Sequence, residues 1–291
     1  MLSKLSIKQK LILIMMIPLT VVILLAAKLA VDSFSTTRNL QSLDNVVVLS
    51  TKIGALVHET QKERGMTSGF LGSKGEQFKS ELPSQRNSVD DKLSDFRDFL
   101  KSFDKTDYSA ELVENLDNGV KKLDELSSIR NGVSNLSINA PVAIGYYTEV
   151  NRVLLNVLGS IIKQSNSAQV TRELSSYMSF LLSKERAGLE RAIGTNTFAR
   201  NNFAEGMKAR FYTLVAEQNA YTDAFLKVST KEIEQFYKNT LENEVVNEVE
   251  NMRKIALYSG KDSDFGVDST VWFKKITEKI NLLKKVEDKI A

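Results

Sequence analysis

An arginine stands among apolar residues in the stretch His58-Glu59-Thr60-Gln61-Lys62-Glu63-Arg64-Gly65-Met66-Thr67-Ser68-Gly69-Phe70-Leu71-Gly72. Written as a helix, Ile53, Val57, Thr60, Arg64, Thr67 and Leu71 fall on one stripe with alternating three- and four-residue steps. Such a stripe faces a core or a partner helix, which buries Arg64 with a hydroxyl one turn away on either side. A buried guanidinium must be paired, either by a neighbouring glutamate or by a bound anion. For a lone arginine the glutamate is the commoner solution. The stretch recurs, however. Lys184-Glu185-Arg186-Ala187-Gly188 repeats Lys62-Glu63-Arg64-Gly65, and Met178, Leu182, Arg186, Leu189 and Ile193 make a second stripe. Two arginines on core stripes point to a duplicated helical unit with both guanidiniums on one cavity. Their planar forks of donors suit a small planar oxyanion. Arg191 lies five residues after Arg186, about 140° round the helix, so it points elsewhere and is a secondary candidate.

A second polar interruption lies downstream. Asn139-Ala140-Pro141 reads as a helix start, with Asn as cap and Pro in the first turn. Tyr147, Asn151, Leu154, Leu158 and Ile161 then share a stripe. A tyrosine hydrogen-bonded inside a bundle explains this pattern as readily as a ligand does. If this helix packs near the first, Thr60, Thr67, Tyr147 and Asn151 become neutral donors beside Arg64.

The run from His58 to Gly75 resembles the first signature of the nitrate- and nitrite-sensing (NIT-type) domain, which occurs outside the membrane in bacterial chemoreceptors and sensor kinases. Ser183 to Gly194 resembles the second signature, and Ala140 to Leu158 resembles the helix placed across from the first. The similarity spans roughly Val46 to Phe225. It implies an all-helical fold of two four-helix bundles and an anion held by arginines from different helices.

The elements that would position these residues follow from pattern. The 291 residues include no cysteine, one histidine and three prolines, which leaves no thiolate site and no histidine-based metal cluster. No phosphate-binding glycine loop, nucleophile–base pair or repeated carboxylate pair stands out, so no enzyme, cofactor or metal is expected. A net charge of +3 gives no reason to expect a nucleic-acid partner. Helical periodicity predicts segments over 32–71, 78–103, 107–129, 139–164, 170–193, 200–228, 231–257 and 269–290. The predicted fold is therefore all-α: two up-down four-helix bundles, 32–164 and 168–291, each led by a Lys-Glu-Arg helix. A weak turn at Ser165-Asn166-Ser167 separates them, and Ser259 to Gly266 is the longest loop signal.

Before the first bundle, Lys4, Lys8 and Lys10 precede the apolar run Leu11–Ala27. With Leu29-Ala30-Val31 added, 11–31 reads as an uncleaved transmembrane anchor, with residues 1–10 cytoplasmic; a cleaved signal peptide is the alternative. The preferred reading is a receptor in the bacterial inner membrane, a chemoreceptor by preference. Its periplasmic domain, residues 32–291, would bind nitrate or nitrite through Arg64 and Arg186. A homodimer and a cytoplasmic signalling module after Ala291 are expected partners. An organic carboxylate uses the same arginine fork, so an organic acid or a binding-protein partner stays open, as does a ligand-free dimerisation module.

Overall fold

The computed structural model describes residues 6–164, 167–258 and 264–290. Among them are ten α-helices, one 3-10 turn and no strand. The helices are α1 Ile7–Gly72, α2 Glu81–Ser102, α3 Ala110–Asp124, α4 Leu126–Ser134, α5 Ala140–Gln164, α6 Ala168–Arg200, α7 Met207–Val228, α8 Lys231–Leu241, α9 Glu244–Tyr258 and α10 Ser269–Ile290. Two of the eight expected helices are split. The segment expected over 107–129 becomes a 3-10 turn at Lys105–Asp107 followed by α3 and α4, which meet at Glu125. The segment expected over 231–257 breaks after Leu241, where the Asn243 side chain accepts from the Val245 N–H at 3.1 Å and starts α9. Of the expected turns, Ser165 and Asn166, and Ser259 to Ser263, lie outside the described residues.

The chain divides into two units, Met1–Val48 and Leu49–Ala291. In the first, α1 carries exposed apolar side chains that include Leu11, Met15, Leu19, Val22, Leu25 and Leu29. Among the described residues no helix is long and apolar enough to cross a membrane, and the expected anchor at 11–31 is corrected accordingly.

In the second unit, α3 packs on α5, α5 on α6, α6 on α7 and α10, and α10 on α8 and α9. Serine and threonine caps begin several of these helices: Ser109 for α3, Ser167 for α6 and Thr230 for α8 each accept from a backbone N–H of the first turn. α1 closes with a Schellman pattern, Gly75 N–H to Phe70 carbonyl at 2.8 Å and Lys74 N–H to Leu71 carbonyl at 3.2 Å. Lys74 takes the left-handed position of this turn, with φ 57°. α6 ends in the same way, with Asn201 at φ 49°.

The apolar core of this unit centres on Trp272, fully buried and ringed by Phe198 at 5.3 Å and Phe211 at 6.0 Å between ring centres. Its indole N–H donates to the Arg191 carbonyl at 3.1 Å. The ring lies flat against α6 at Gly194, where an added Cβ would stand 2.5 Å from the indole. Overpacking such a contact costs about 1–3 kcal/mol. Gly194→Ala is therefore expected to lower the thermal midpoint by several degrees, read by circular dichroism. An unchanged midpoint would show that the indole can shift freely.

Candidate functional site

α1 and α6 run side by side and parallel. Gln61 Nε2 donates to Glu185 Oε2 at 2.6 Å, and further along Ser68 donates to the Ala192 carbonyl at 2.9 Å. Each helix brings one Glu-Arg step to this seam, Glu63-Arg64 and Glu190-Arg191, and all four side chains are fully buried. The two glutamates are closed off in the same way. Arg130 of α4 grips Glu63 with both arms, Nε to Oε1 and Nη2 to Oε2 at 2.8 Å each, and the Tyr147 hydroxyl adds a bond of 2.7 Å. Arg253 of α9 grips Glu190 at 2.5 and 2.6 Å, with Gln218 Nε2 at 2.7 Å. Burial opposes the charge on Arg130 and on Arg253, but the carboxylates facing them outweigh it and hold both above the usual guanidinium range. Burial likewise opposes the Glu190 charge, and Arg253 more than offsets it, so this carboxyl is held low. Tyr147 is pushed well above the phenol range, by burial first and then by Glu63.

The two arginines of the seam are in a different condition. Arg64 Nη1 donates to Glu185 Oε1 at 2.5 Å and to Thr148 Oγ1 at 3.2 Å, while its Nε and Nη2 have no acceptor among the described residues. Arg191 Nη1 donates to Thr277 Oγ1 of α10 at 3.0 Å, and its Nε and Nη2 are likewise without an acceptor. Its guanidinium lies 5.2 Å from the centre of the Phe273 ring. Burial, and then the charge of Arg64, push Arg191 down from the guanidinium range to about 9. Glycines let the two groups in. A Cβ on Gly188 would stand 2.8 Å from Arg64 Nη2, and one on Gly65 would stand 2.9 Å from Arg191 Nε. Each arginine thus lies over a glycine of the other helix.

Of the residues expected at the site, the structure brings Arg64, Thr60 and Asn151 together. Thr60 Oγ1 lies 2.6 Å from Asn151 Oδ1, and Asn151 Nδ2 donates to Glu185 Oε2 at 3.3 Å. Tyr147 and Thr67 belong instead to the Glu63 clamp, Tyr147 by its hydroxyl on Glu63 and Thr67 beside that hydroxyl. Arg186 is not brought to Arg64, which corrects the expected pairing. It is part-exposed, bonds Glu217 Oε2 of α7 at 2.9 Å and lies 5.0 Å from the centre of the Tyr221 ring. The reason is the packing of α6. With α1, α5, α7 and α10 around it, nearly every side of this helix is buried, so an apolar stripe no longer marks the interior. Met178, Leu182, Arg186 and Ile193 lie on its less buried side, whereas Lys184, Glu185, Glu190 and Arg191 are enclosed. The half-turn that separates Arg191 from Arg186 carries it into the seam.

Sequence reasoning missed Glu185, Gln61, Arg130 and Arg253 entirely. The dipeptide Glu-Arg precedes a small residue three times, at Glu63-Arg64-Gly65, Glu185-Arg186-Ala187 and Glu190-Arg191-Ala192. The third copy equates Arg64 with Arg191, but the second, preceded by Lys as the first is, equates it with Arg186, so the repeat does not choose between them. Nothing in the chain marks Arg130 and Arg253 as the distant partners of the two glutamates.

Comparison with known proteins bears on this geometry. The family described as "Nitrate and nitrite sensing" (NIT) matches residues 55–291. The chain is 27% identical over 263 residues to the "Nitrate regulatory protein" of Klebsiella oxytoca, covering 89% of this chain and 66% of the relative, a little under two thirds of its length. A solved structure, described as that of the NasR transcription antiterminator, superposes with a TM-score of 0.79 at 26% identity, over 90% of this chain and 72% of the other. These matches are named as regulators of nitrate response and transcription. They overturn the sequence-based expectation of a chemotaxis receptor, with its inner-membrane location, periplasmic sensor domain and membrane partner, and with it the expectation of no nucleic-acid partner. On the match over 55–291, this chain belongs to the nitrate- and nitrite-sensing (NIT) family.

Proposed function

We propose that this chain is the anion-sensing part of a nitrate- or nitrite-responsive regulator and that Arg64 and Arg191 together hold the anion. One observation carries the reading: two fully buried guanidiniums on adjoining helices, each with Nε and Nη2 lacking an acceptor among the described residues. Leaving buried donors unpaired is costly, and two like charges in one seam repel. A planar oxyanion between them supplies acceptors for both Nε–Nη2 edges and offsets the repulsion at once. Family membership and the names of the similar proteins point the same way. Thr60 and Asn151 act at one remove, by orienting Glu185; Tyr147 holds Glu63, which fixes the α1 backbone beneath Arg64. The protein is read as a binding domain rather than an enzyme. We also infer that the helices form two bundles meeting at the α1–α6 seam, which the packing of α3 on α5 and of α6 on α7 and α10 supports.

The output route runs through α10. Arg191 reaches Thr277 and Phe273, and its carbonyl holds the Trp272 indole. An anion that draws Arg191 towards Arg64 alters its hold on α10 and so shifts α10 against α1. A ligand changes an equilibrium only by its differential contacts with the two states, and these are the contacts that would differ.

Two experiments test the reading. Calorimetric titration with nitrate should show affinity falling by about one to two orders of magnitude in Arg64→Ala and in Arg191→Ala, since charge-assisted bonds contribute about 1.5–3 kcal/mol each. Arg186→Ala, which removes the Glu217 and Tyr221 contacts on the far side of α6, should bind as the parent does. Equal loss in Arg186→Ala, or no loss in the other two, would refute the assignment.

The second is pH. The anion binds the charged form of Arg191, whose charge is weighed against Arg64 and favoured by Glu185 and Glu59. Because the free group sits at about 9, nitrate affinity should be level near neutrality and fall as pH rises past that value, with proton uptake on binding there. The unliganded fold follows the opposite sign. This cation's folded value lies below its unfolded one, so its contribution to stability improves as pH rises above about 9. Affinity that holds level to pH 10 would show that Arg191 keeps its proton in the free protein.

A further inference from the structure

We propose that Glu185 is the specificity-determining residue of this site and restricts it to singly charged oxyanions. The inference rests on the assignment of Arg64 and Arg191 as the anion's holders. Glu185 is only 3% exposed. Its Oε1 accepts from Arg64 Nη1 at 2.5 Å, and its Oε2 accepts from Gln61 Nε2 at 2.6 Å and from Asn151 Nδ2 at 3.3 Å. Donors from α1 and α5 therefore fix the carboxylate in place. It takes one corner of the Arg64 fork and leaves the Nε–Nη2 edge to a ligand.

Charge balance then decides what that ligand is. Of the other buried charges nearby, Glu63 is closed by Arg130, Glu190 by Arg253, and Glu287 by Lys184 and Lys284. Buried Lys279 stands against the Glu190–Arg253 pair and is pushed down to about 8, by burial first and then by Arg253. At the rim, Glu59 is paired with Lys62. His58, buried beside Lys184, is held neutral, by burial first and then by that cation. What is left in the seam is Arg64 and Arg191 against Glu185, one net positive charge. In a buried site an uncompensated charge is heavily penalised. A monoanion brings the seam to neutrality. A dianion leaves an excess negative charge a short distance from the Glu185 carboxylate, which it repels. Nitrate and nitrite are admitted on this ground, and sulfate is refused although its oxygens would satisfy the same donors. The same carboxylate competes for Arg64 and so also holds the affinity for monoanions down.

The test is Glu185→Gln in the full chain, titrated with sodium nitrate and sodium sulfate by calorimetry at neutral pH. Glutamine keeps the length and one acceptor, and the Gln61 Oε1, which has no partner among the described residues, can turn to accept from the new amide. The parent should bind nitrate and discriminate against sulfate. In the variant, nitrate should bind about tenfold tighter or more and the preference over sulfate should shrink by at least about tenfold, as expected for removal of one buried charge. Glu185→Asp keeps the charge and should keep the preference. If the glutamine variant is unstable alone, thermal-shift scans with each anion report the same property, and sulfate should then stabilise it about as well as nitrate does. An unchanged nitrate-to-sulfate ratio, weaker nitrate binding, or a variant that neither anion stabilises would overturn the proposal and leave Glu185 a structural partner of Arg64. Absence of nitrate binding in the parent protein is a different result, one that removes the anion-site assignment itself.

Discussion

Two positive charges enclosed in one helix–helix seam set the terms for the rest of this structure. Arg64 and Arg191 are each fully buried, and neither has a full complement of acceptors. A protein interior does not tolerate that arrangement without a reason, because the desolvation of a guanidinium costs several kcal/mol and a like charge nearby adds to it. The depressed proton affinity of Arg191 expresses both effects, burial first and Arg64 second. Around the seam the fold closes most buried charges in pairs, the Lys279 ammonium beside Glu190 and Arg253 excepted. Arg130 and Arg253 each clamp one glutamate with two bonds, and Lys184 meets Glu287. The contrast between satisfied clamps and an unsatisfied pair is the ground on which the anion site is proposed.

The clamps also explain how the pair is held close. Glu63 and Glu190 directly precede the two arginines in sequence, so fixing each glutamate fixes the helix turn that carries the neighbouring guanidinium. Gly65 and Gly188 give the room, since any side chain at either position would meet the opposing arginine. α10 closes the seam from a third side through Thr277, Phe273 and Trp272. A change in how Arg191 is held is therefore a change in the packing of the last helix. That is a short mechanical path, one side chain long, from a small ligand to an element that can pass the signal on.

Membership of the nitrate- and nitrite-sensing family accords with the all-helical fold but does not account for the output. Domains of this family were expected outside the membrane in receptors, and the proteins matched are a nitrate regulatory protein and a transcription antiterminator. The residues that bind an anion are indifferent to what is attached to the helices that hold them. Sequence reasoning about the sensor therefore had no physical hold on the output.

Local pattern was enough for the all-helical fold, the positions of most helix ends and the presence of a buried arginine on α1. These follow from apolar spacing and capping residues, which act over a few positions of chain. Arg64 itself was legible because α1 buries Ile53, Val57, Thr60 and Thr67 along one face. α6 broke the same logic. A helix surrounded on nearly all sides has no solvated face against which a stripe can be read, so periodicity favoured Arg186 while packing enclosed Arg191. The Glu185 contact and the two bidentate clamps likewise depended on neighbours distant in sequence. The splits at Glu125 and Asn243 are local breaks that the apolar spacing passed over. Sequence alone determined that a guanidinium would be buried and would need an anion or a carboxylate. Only the tertiary structure decided which second arginine shares the seam and that Glu185 bonds Arg64 and not Arg191, because pairing of buried charges is settled by three-dimensional proximity and not by spacing along a helix.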